Sequence, residues 1–422
     1  MARVGFAFAA AVLVAGSVQL APASLHWDRN AAQQLLAYID LVGSHGLDPL
    51  DYDRADLLAA LTDGDAVELD NQARASFAAI ARDLANGRVE AGRRGRYAIA
   101  APQLSSDAID DLAQEATAGR DVATVLETLA PHDRQYVALR AALIALSPDD
   151  FERRRQIAIN LERLRWLPRA REAAKLVVNI PEYTLALRNG DSEIAVYRVI
   201  VGKVATPTPE FMARISAVIF NPSWSVPSSI VTESVGDLVR RQPALARKRG
   251  YVWTIDRQGR LSVTQLPGPL NALGQMKLDM PNAYSVYVHD TPNRELFARA
   301  DRTFSHGCIR LEQPLKLAET LLAETGWAPR DTEATLKDRN TLRRPLRQPI
   351  PIYVIYLTAV PASNGQIRYL GDPYGLDPPL AMALAGERGT RAVALASDQS
   401  AKLPIAAGYA LGHEDARTAT LC

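Results

Sequence analysis

Hydrophobic positions in this chain change their period once, near residue 168. From residue 24 to about 165 they recur every three or four places, the spacing of one helix face. Leu35, Leu36, Ile39 and Val42 form one stripe. Leu57, Leu58 and Leu61 follow Asp53, a residue type that starts helices, and Phe77, Ile80, Ala81 and Leu84 precede a stop at Gly87. Further amphipathic stretches cover 122–129, 136–146 and 151–164, ending at Trp166-Leu167-Pro168. The pattern then alternates, as a half-buried strand requires, at 176–180, 183–187, 194–201, 217–220, 285–289 and 352–357, with Asn189-Gly190 suited to a hairpin turn. The reading is α+β: an all-α domain over 24–168, then a mainly-β domain over 173–377, expected as a β-sandwich. A mixed, basic and turn-rich stretch at about 229–280 predicts an insertion that acts as a lid. From Pro378 to residue 422 the chain is Ala-rich without periodicity, and poor order is expected there.

Composition narrows the compartment and the partners. A chain of 422 residues calls for two or three domains, and a net charge of +1 excludes a general nucleic-acid binder. Arg3, the apolar run 4–15 and the small residues Ala21-Pro22-Ala23 form a secretory leader over 1–23, with cleavage expected after Ala23. That run is shorter than the ~20 apolar residues a spanning helix needs, and no later segment reaches it. The expected product is not membrane-spanning and lies outside the cytoplasm. Of the two cysteines, Cys422 is terminal and Cys308 sits in a dense motif. A bond between them would cap Cys308, so a free thiol is expected.

The motif is Ser305-His306-Gly307-Cys308-Ile309-Arg310, preceded by Tyr287 and His289. A thiolate attacks acyl carbons, an imidazole lowers its pKa and passes protons, and a glycine lets backbone N–H groups approach a developing oxyanion. Alternation puts Tyr287 and His289 on one strand face and Cys308 and Arg310 on one face of another. Gly307 is the expected oxyanion donor, Arg310 has a fork that matches a carboxylate, and the carbonyl of Asp290 serves to orient His289. A zinc hydrolase using His289, His306 and Cys308 competes with this reading, as does a non-catalytic scaffold protein given the large helical half. The turn before Cys308 suits an oxyanion hole better than a metal.

His-x15-Ser-His-Gly-Cys-Ile-Arg resembles the signature of L,D-transpeptidases with a YkuD-type catalytic domain. Leu164-Arg165-Trp166-Leu167-Pro168, Asn221-Pro222-Ser223-Trp224 and His289-Asp290-Thr291-Pro292 resemble blocks of the large Gram-negative subgroup, which adds an N-terminal scaffold and a capping subdomain. The resemblance implies a periplasmic enzyme acting on peptidoglycan stem peptides. Cys308 would be the nucleophile, His289 the base, and Tyr287, Ser305, His306, Arg310 and Trp224 would surround the donor. It implies 3→3 cross-links with loss of D-alanine; L,D-carboxypeptidase action or wall-protein attachment are the alternatives with the same site. No cofactor is implied, and a glycan polymerase or carboxypeptidase is a compatible partner. The small peptidoglycan-binding module common in that subgroup is absent, because Ser147-Pro148-Asp149-Asp150 leads directly into the next helix.

Overall fold

The helical half is assembled by aspartate and serine caps. In the computed structural model, which describes residues 26–63, 65–100, 103–169 and 174–386, seven α-helices come first. They are α1 (Arg29–Leu41), α2 (Arg54–Asp63), α3 (Ala66–Asn86), α4 (Ser106–Thr117), α5 (Val122–Glu127), α6 (Arg134–Ala145) and α7 (Phe151–Arg165). Asp28, Asp65, Ser105, Asp121, Asp133 and Asp150 accept backbone N–H groups at the starts of α1 and α3–α7. Each such cap is worth about 1 kcal/mol. The predicted stripes are buried: Leu35 and Ile39 of α1, and Phe77, Ile80 and Leu84 of α3, meet Leu126, Leu139 and Leu161 in one core. Gly87 ends α3 at φ 80°, where a Cβ would come within 2.6 Å of the Trp166 ring. Only glycine passes there. No helix among the described residues is long and apolar enough to cross a membrane.

The two halves are not independent. A short strand β1 (Tyr97–Ala98), from the helical region, runs parallel to β5 (Glu210–Phe220) with Tyr97 opposite Glu210. Tyr353, Ile355, Leu357 and Val360 belong to the same core as the helices. Asn160 of α7 both donates to and accepts from Thr358, at 2.9 and 2.8 Å. Arg163 pairs with Asp377 at 2.5 Å. Poor order from Pro378 is not what the structure has over its first residues. Asp377–Gly386 is a helix whose Leu380 and Ala383 pack on Val89, Ile159 and Trp166. Its alanines are helix formers, and a partner surface buries two side chains, which periodicity alone did not reveal. The rest of the tail, and the leader over 1–23, lie outside the described residues.

The mainly-β expectation is met by a single continuous sheet. Its strands are β2 (Ala174–Asn179), β3 (Thr184–Asn189), β4 (Ser192–Gly202), β5, β9 (Met276–Asp279), β10 (Val288–His289), β12 (Ile309–Leu311) and β13 (Leu342–Ile355), with β11 (Thr303–Ser305) beside β4. The order is β1-β5-β13-β2-β3-β4-β12-β10-β9, and β9 also pairs with β5, so the sheet closes on itself. Leu176, Val199, Ile215, Leu278, Val288, Ile309 and Val354 point inward, joined by Leu317 and Leu321 of the helix Pro314–Leu322.

The insertion is a unit with its own core. β6 (Trp224–Ser225), β7 (Tyr251–Ile255) and β8 (Leu261–Gln265) form a three-stranded sheet covered by helical turns from Ser228 to Lys248. Trp224, Val231, Val235, Val239 and Val263 fill it. It ends earlier than the expected residue 280. Met276 and Leu278 alternate into the main core, so residues 276–279 are a strand of the main sheet rather than part of the lid.

Candidate active site

Three short strands determine which side chains share a surface. β10 and β12 are parallel, pairing Val288 with Ile309 and His289 with Arg310. β9 runs antiparallel to β10, with Lys277 opposite His289. Directly paired residues present side chains on the same face. Since Met276, Leu278, Val288, Ile309 and Leu311 fill the core, Lys277, His289 and Arg310 stand together on the other face. Tyr287 and Cys308 join them, each two residues from a member of that row. His289 and Cys308 are therefore diagonal neighbours on adjacent strands.

The His289 ring is held by its own turn. Nδ1–H donates to the carbonyl oxygen of Asp290, as expected for the orienting group, which leaves Nε2 as the free acceptor. The carboxylate of Asp290, unremarked in the sequence, fixes the turn itself. It accepts from Thr291 N at 2.7 Å, from Gln275 N at 2.8 Å and from Arg294 Nη2 at 2.6 Å. Gly274 lies so close that a Cβ there would come within 2.3 Å of that carboxylate. Burial, then the Arg310 guanidinium, and less strongly the Lys277 ammonium, push the imidazole down to about 3, against the opposing hydrogen bond to Asp290. The ring is neutral near pH 7 in this state.

The cysteine differs from expectation in its oxidation state. Cys308 is disulfide-bonded, so the free thiol inferred from the sequence is corrected; the other cysteine of the chain, Cys422, lies outside the described residues. Only the thiol form of Cys308 can attack an acyl carbon. Sγ is buried and accepts the backbone N–H of Tyr287 at 3.3 Å.

The turn before it is built by hydroxyls. Ser305 Oγ donates to Cys308 O at 2.5 Å and accepts from Gly307 N at 3.0 Å. The Gly307 N–H, expected to face an oxyanion, is instead spent inside the turn. The Ser305 hydroxyl sits two residues back, where local side-chain bonds form readily. The N–H that does point at the sulfur is that of Tyr287. Gly307 adopts φ 116°, open to glycine alone, and its carbonyl accepts from Thr208 Oγ1 at 2.8 Å. Thr208 also receives Gly202 N at 2.9 Å, and Tyr374 OH donates to Gly202 O at 2.7 Å. Neither Thr208 nor Tyr374 was singled out in the sequence.

The remaining expected residues divide. Tyr287 is half-buried, with Lys277 Nζ 4.6 Å from its ring centroid. His306 Nε2 lies 3.0 Å from Glu233 Oε2 and 3.2 Å from Lys203 Nζ, so it faces the cap rather than the sulfur. Glu233 lies in a single π-turn, Val231–Val235. His289, His306 and Cys308 do not converge, and among the described residues no three His, Cys, Asp or Glu side chains are grouped as metal ligands. Trp224 belongs to the cap core. It is 7% exposed within the cap core, where an indole packs with aliphatic neighbours instead of facing a ligand.

Comparison with known proteins finds a match in each half of the chain. Residues 173–341 match the L,D-transpeptidase catalytic domain, YkuD, and residues 23–143 match a scaffold domain. A Haemophilus influenzae protein named as a candidate L,D-transpeptidase is 34% identical over 239 residues, covering 53% of this chain and 48% of that protein. The chain thus spans about half the length of that relative. Among solved structures, an L,D-transpeptidase from Mycobacterium smegmatis aligns at 15% identity, with a TM-score of 0.23, over 43% of this chain and 58% of that one. L,D-transpeptidase 1 of Mycobacterium tuberculosis aligns at 15% identity, with a TM-score of 0.20, over 43% and 61%. A helical scaffold leads into a closed sheet that carries the cysteine and the carbonyl-oriented histidine, both domain models match in that order, and this chain therefore carries a YkuD-type L,D-transpeptidase catalytic domain preceded by a scaffold domain.

Proposed function

We propose that this protein is a peptidoglycan L,D-transpeptidase, exported by its leader to the periplasm, that joins stem peptides through 3→3 cross-links. The placement of His289 and Cys308 on one face of adjacent strands carries this reading. In its thiol form, Cys308 gives its proton to His289 Nε2. The thiolate attacks the carbonyl carbon of the third stem residue, diaminopimelate by family resemblance, at its L-centre. A carbon–sulfur bond forms, and the carbonyl oxygen takes up negative charge near the Tyr287 N–H. The tetrahedral species collapses, the carbon–nitrogen bond to D-alanine breaks, and the His289 proton goes to the departing amine. Burial, and after it the Arg310 guanidinium, disfavours the His289 cation, so the protonated ring gives up its proton readily at that moment. A side-chain amine of a second stem then attacks the thioester, His289 takes its proton, and the carbon–sulfur bond breaks. Water in place of that amine gives a trimmed stem, and Tyr287, Ser305, His306 and Arg310 shape the donor side.

The test is product analysis. Reduced protein with a tetrapeptide-stem muropeptide should release D-alanine and yield a 3→3 dimer, and Cys308→Ser should yield neither. Release of D-alanine without dimer would assign carboxypeptidase action instead. No consumption of donor by reduced protein would remove the enzymatic reading.

A further inference from the structure

Two cations on the site face have no anion. Arg310 is half-buried, burial alone lowers its pKa, and no carboxylate counters it. Lys277 is also half-buried and is pushed down by burial; Asp279, the one carboxylate acting on it, is engaged by Arg343 at 2.7 Å and by Ser216 at 3.1 Å. Among the described residues neither Lys277 nor Arg310 forms an ion pair or a side-chain hydrogen bond. Strand pairing places them on the two sides of His289, and the Tyr287 ring steadies the lysine. A desolvated cation without a counter-ion is costly unless a ligand supplies the anion.

We propose that Lys277 and Arg310 together seat the free α-carboxylate of the donor's terminal D-residue, flanking His289, and so restrict acylation to stems that end one residue beyond the scissile bond. That carboxylate is two bonds from the nitrogen that leaves, so a seat beside the proton-carrying ring holds the leaving group in line with it. Arg310 supplies a planar fork and Lys277 a point charge, the two forms of carboxylate recognition. A stem lengthened by one residue, or amidated at its end, presents no charge at that place and leaves both cations unpaired. The assignment rests on the transpeptidase reading above for the identity of the donor, but the seat is testable without chemistry.

Binding of an N-acetylated stem tetrapeptide, as free acid and as C-terminal amide, should be measured calorimetrically on Cys308→Ser, alone and combined with Lys277→Met or Lys277→Arg. The free acid should bind about 10- to 100-fold more tightly than the amide. Lys277→Met should erase most of that difference, and Lys277→Arg should restore much of it. Retained discrimination in Lys277→Met, with the thermal transition unchanged, would overturn the seat. So would equal binding of acid and amide by Cys308→Ser. Acylation of the reduced native protein is followed in parallel by intact mass. Acylation without acid–amide discrimination in binding removes the seat and spares the enzyme, whereas discrimination without any acylation does the reverse.

Discussion

Arg165 and Arg310 are both guanidinium groups withdrawn from water, and their surroundings are opposite. Arg165, at the end of α7, is fully buried and fully satisfied. It donates to Glu162 Oε2 at 2.7 Å, to His45 O at 2.8 Å and to Tyr136 OH at 3.1 Å. The other Glu162 oxygen receives Val89 N at 2.8 Å and Trp166 Nε1 at 2.9 Å. This network ties α7 to α6 and to the segments that carry His45 and Val89, and nothing in it is open to a ligand. Arg310 is only half-buried, with no such partner, and it stands beside a neutral histidine and a sulfur. A satisfied buried charge specifies structure; an unsatisfied one beside nucleophilic chemistry marks where substrate charge belongs.

Breaking each partner set separates the two roles. Glu162→Gln should cost about 3–5 kcal/mol in urea unfolding, because it strands the Arg165 charge in the core. Arg310→Met should change stability by less than about 1 kcal/mol, while slowing acylation by the free-acid donor at least tenfold. Equal stability losses in the two variants would collapse the contrast.

A second buried charge sharpens the comparison through pH. Glu210, where β1 meets β5, is pushed up to about 7 by burial, with Arg163 acting in the opposite direction. Its ordinary value in an unfolded chain is 4.5. Below pH 4.5 both states carry the proton and the residue is neutral in the balance. As pH rises from 4.5 through 7 the unfolded state ionises first, and stability falls. Glu210→Gln should therefore stabilise the protein at pH 8 by about 3 kcal/mol, with the gain vanishing near pH 4. A gain independent of pH would mean the carboxyl is not the cause.

The smallest effect belongs to an exposed pair. Glu233 reaches from the cap to His306 and Lys203, and solvent screens such contacts strongly. Glu233→Gln should leave the unfolding transition in place and alter donor KM by a few-fold. A loss of activity as deep as that of Cys308→Ser would show that the cap contact is integral to the chemistry rather than a latch.

What could be read from the sequence follows the reach of periodicity. The α3 stripe and the inward alternation of β10 and β12 depend on neighbours a few residues apart, and those elements were legible. His289 and Cys308 stood out in the sequence through their neighbours in the motif rather than through residue type alone. Lys277 was not. Residues 276–279 are too short for a strand signal and follow a turn-rich insert, so only the pairing with both β5 and β10 puts that lysine beside His289. Trp224 reads the same whether it lines a cleft or fills a core. The Ser305 hydroxyl could face substrate or its own turn, and in the structure it bonds Gly307 and Cys308. β1 is two residues long and gains its place only from the edge of β5. Pairings across a hundred residues, such as Asn160 with Thr358, leave no local trace.

The proposed chemistry makes the Cys308 thiol an acyl carrier, with His289 as its proton partner. Intact-mass measurement of the reduced protein after brief exposure to the tetrapeptide donor tests this most directly. The predicted result is a mass gain equal to the donor less D-alanine on the native protein, lost in Cys308→Ser and greatly slowed in His289→Ala. An adduct that persists in Cys308→Ser, or none on the reduced native protein, would contradict it.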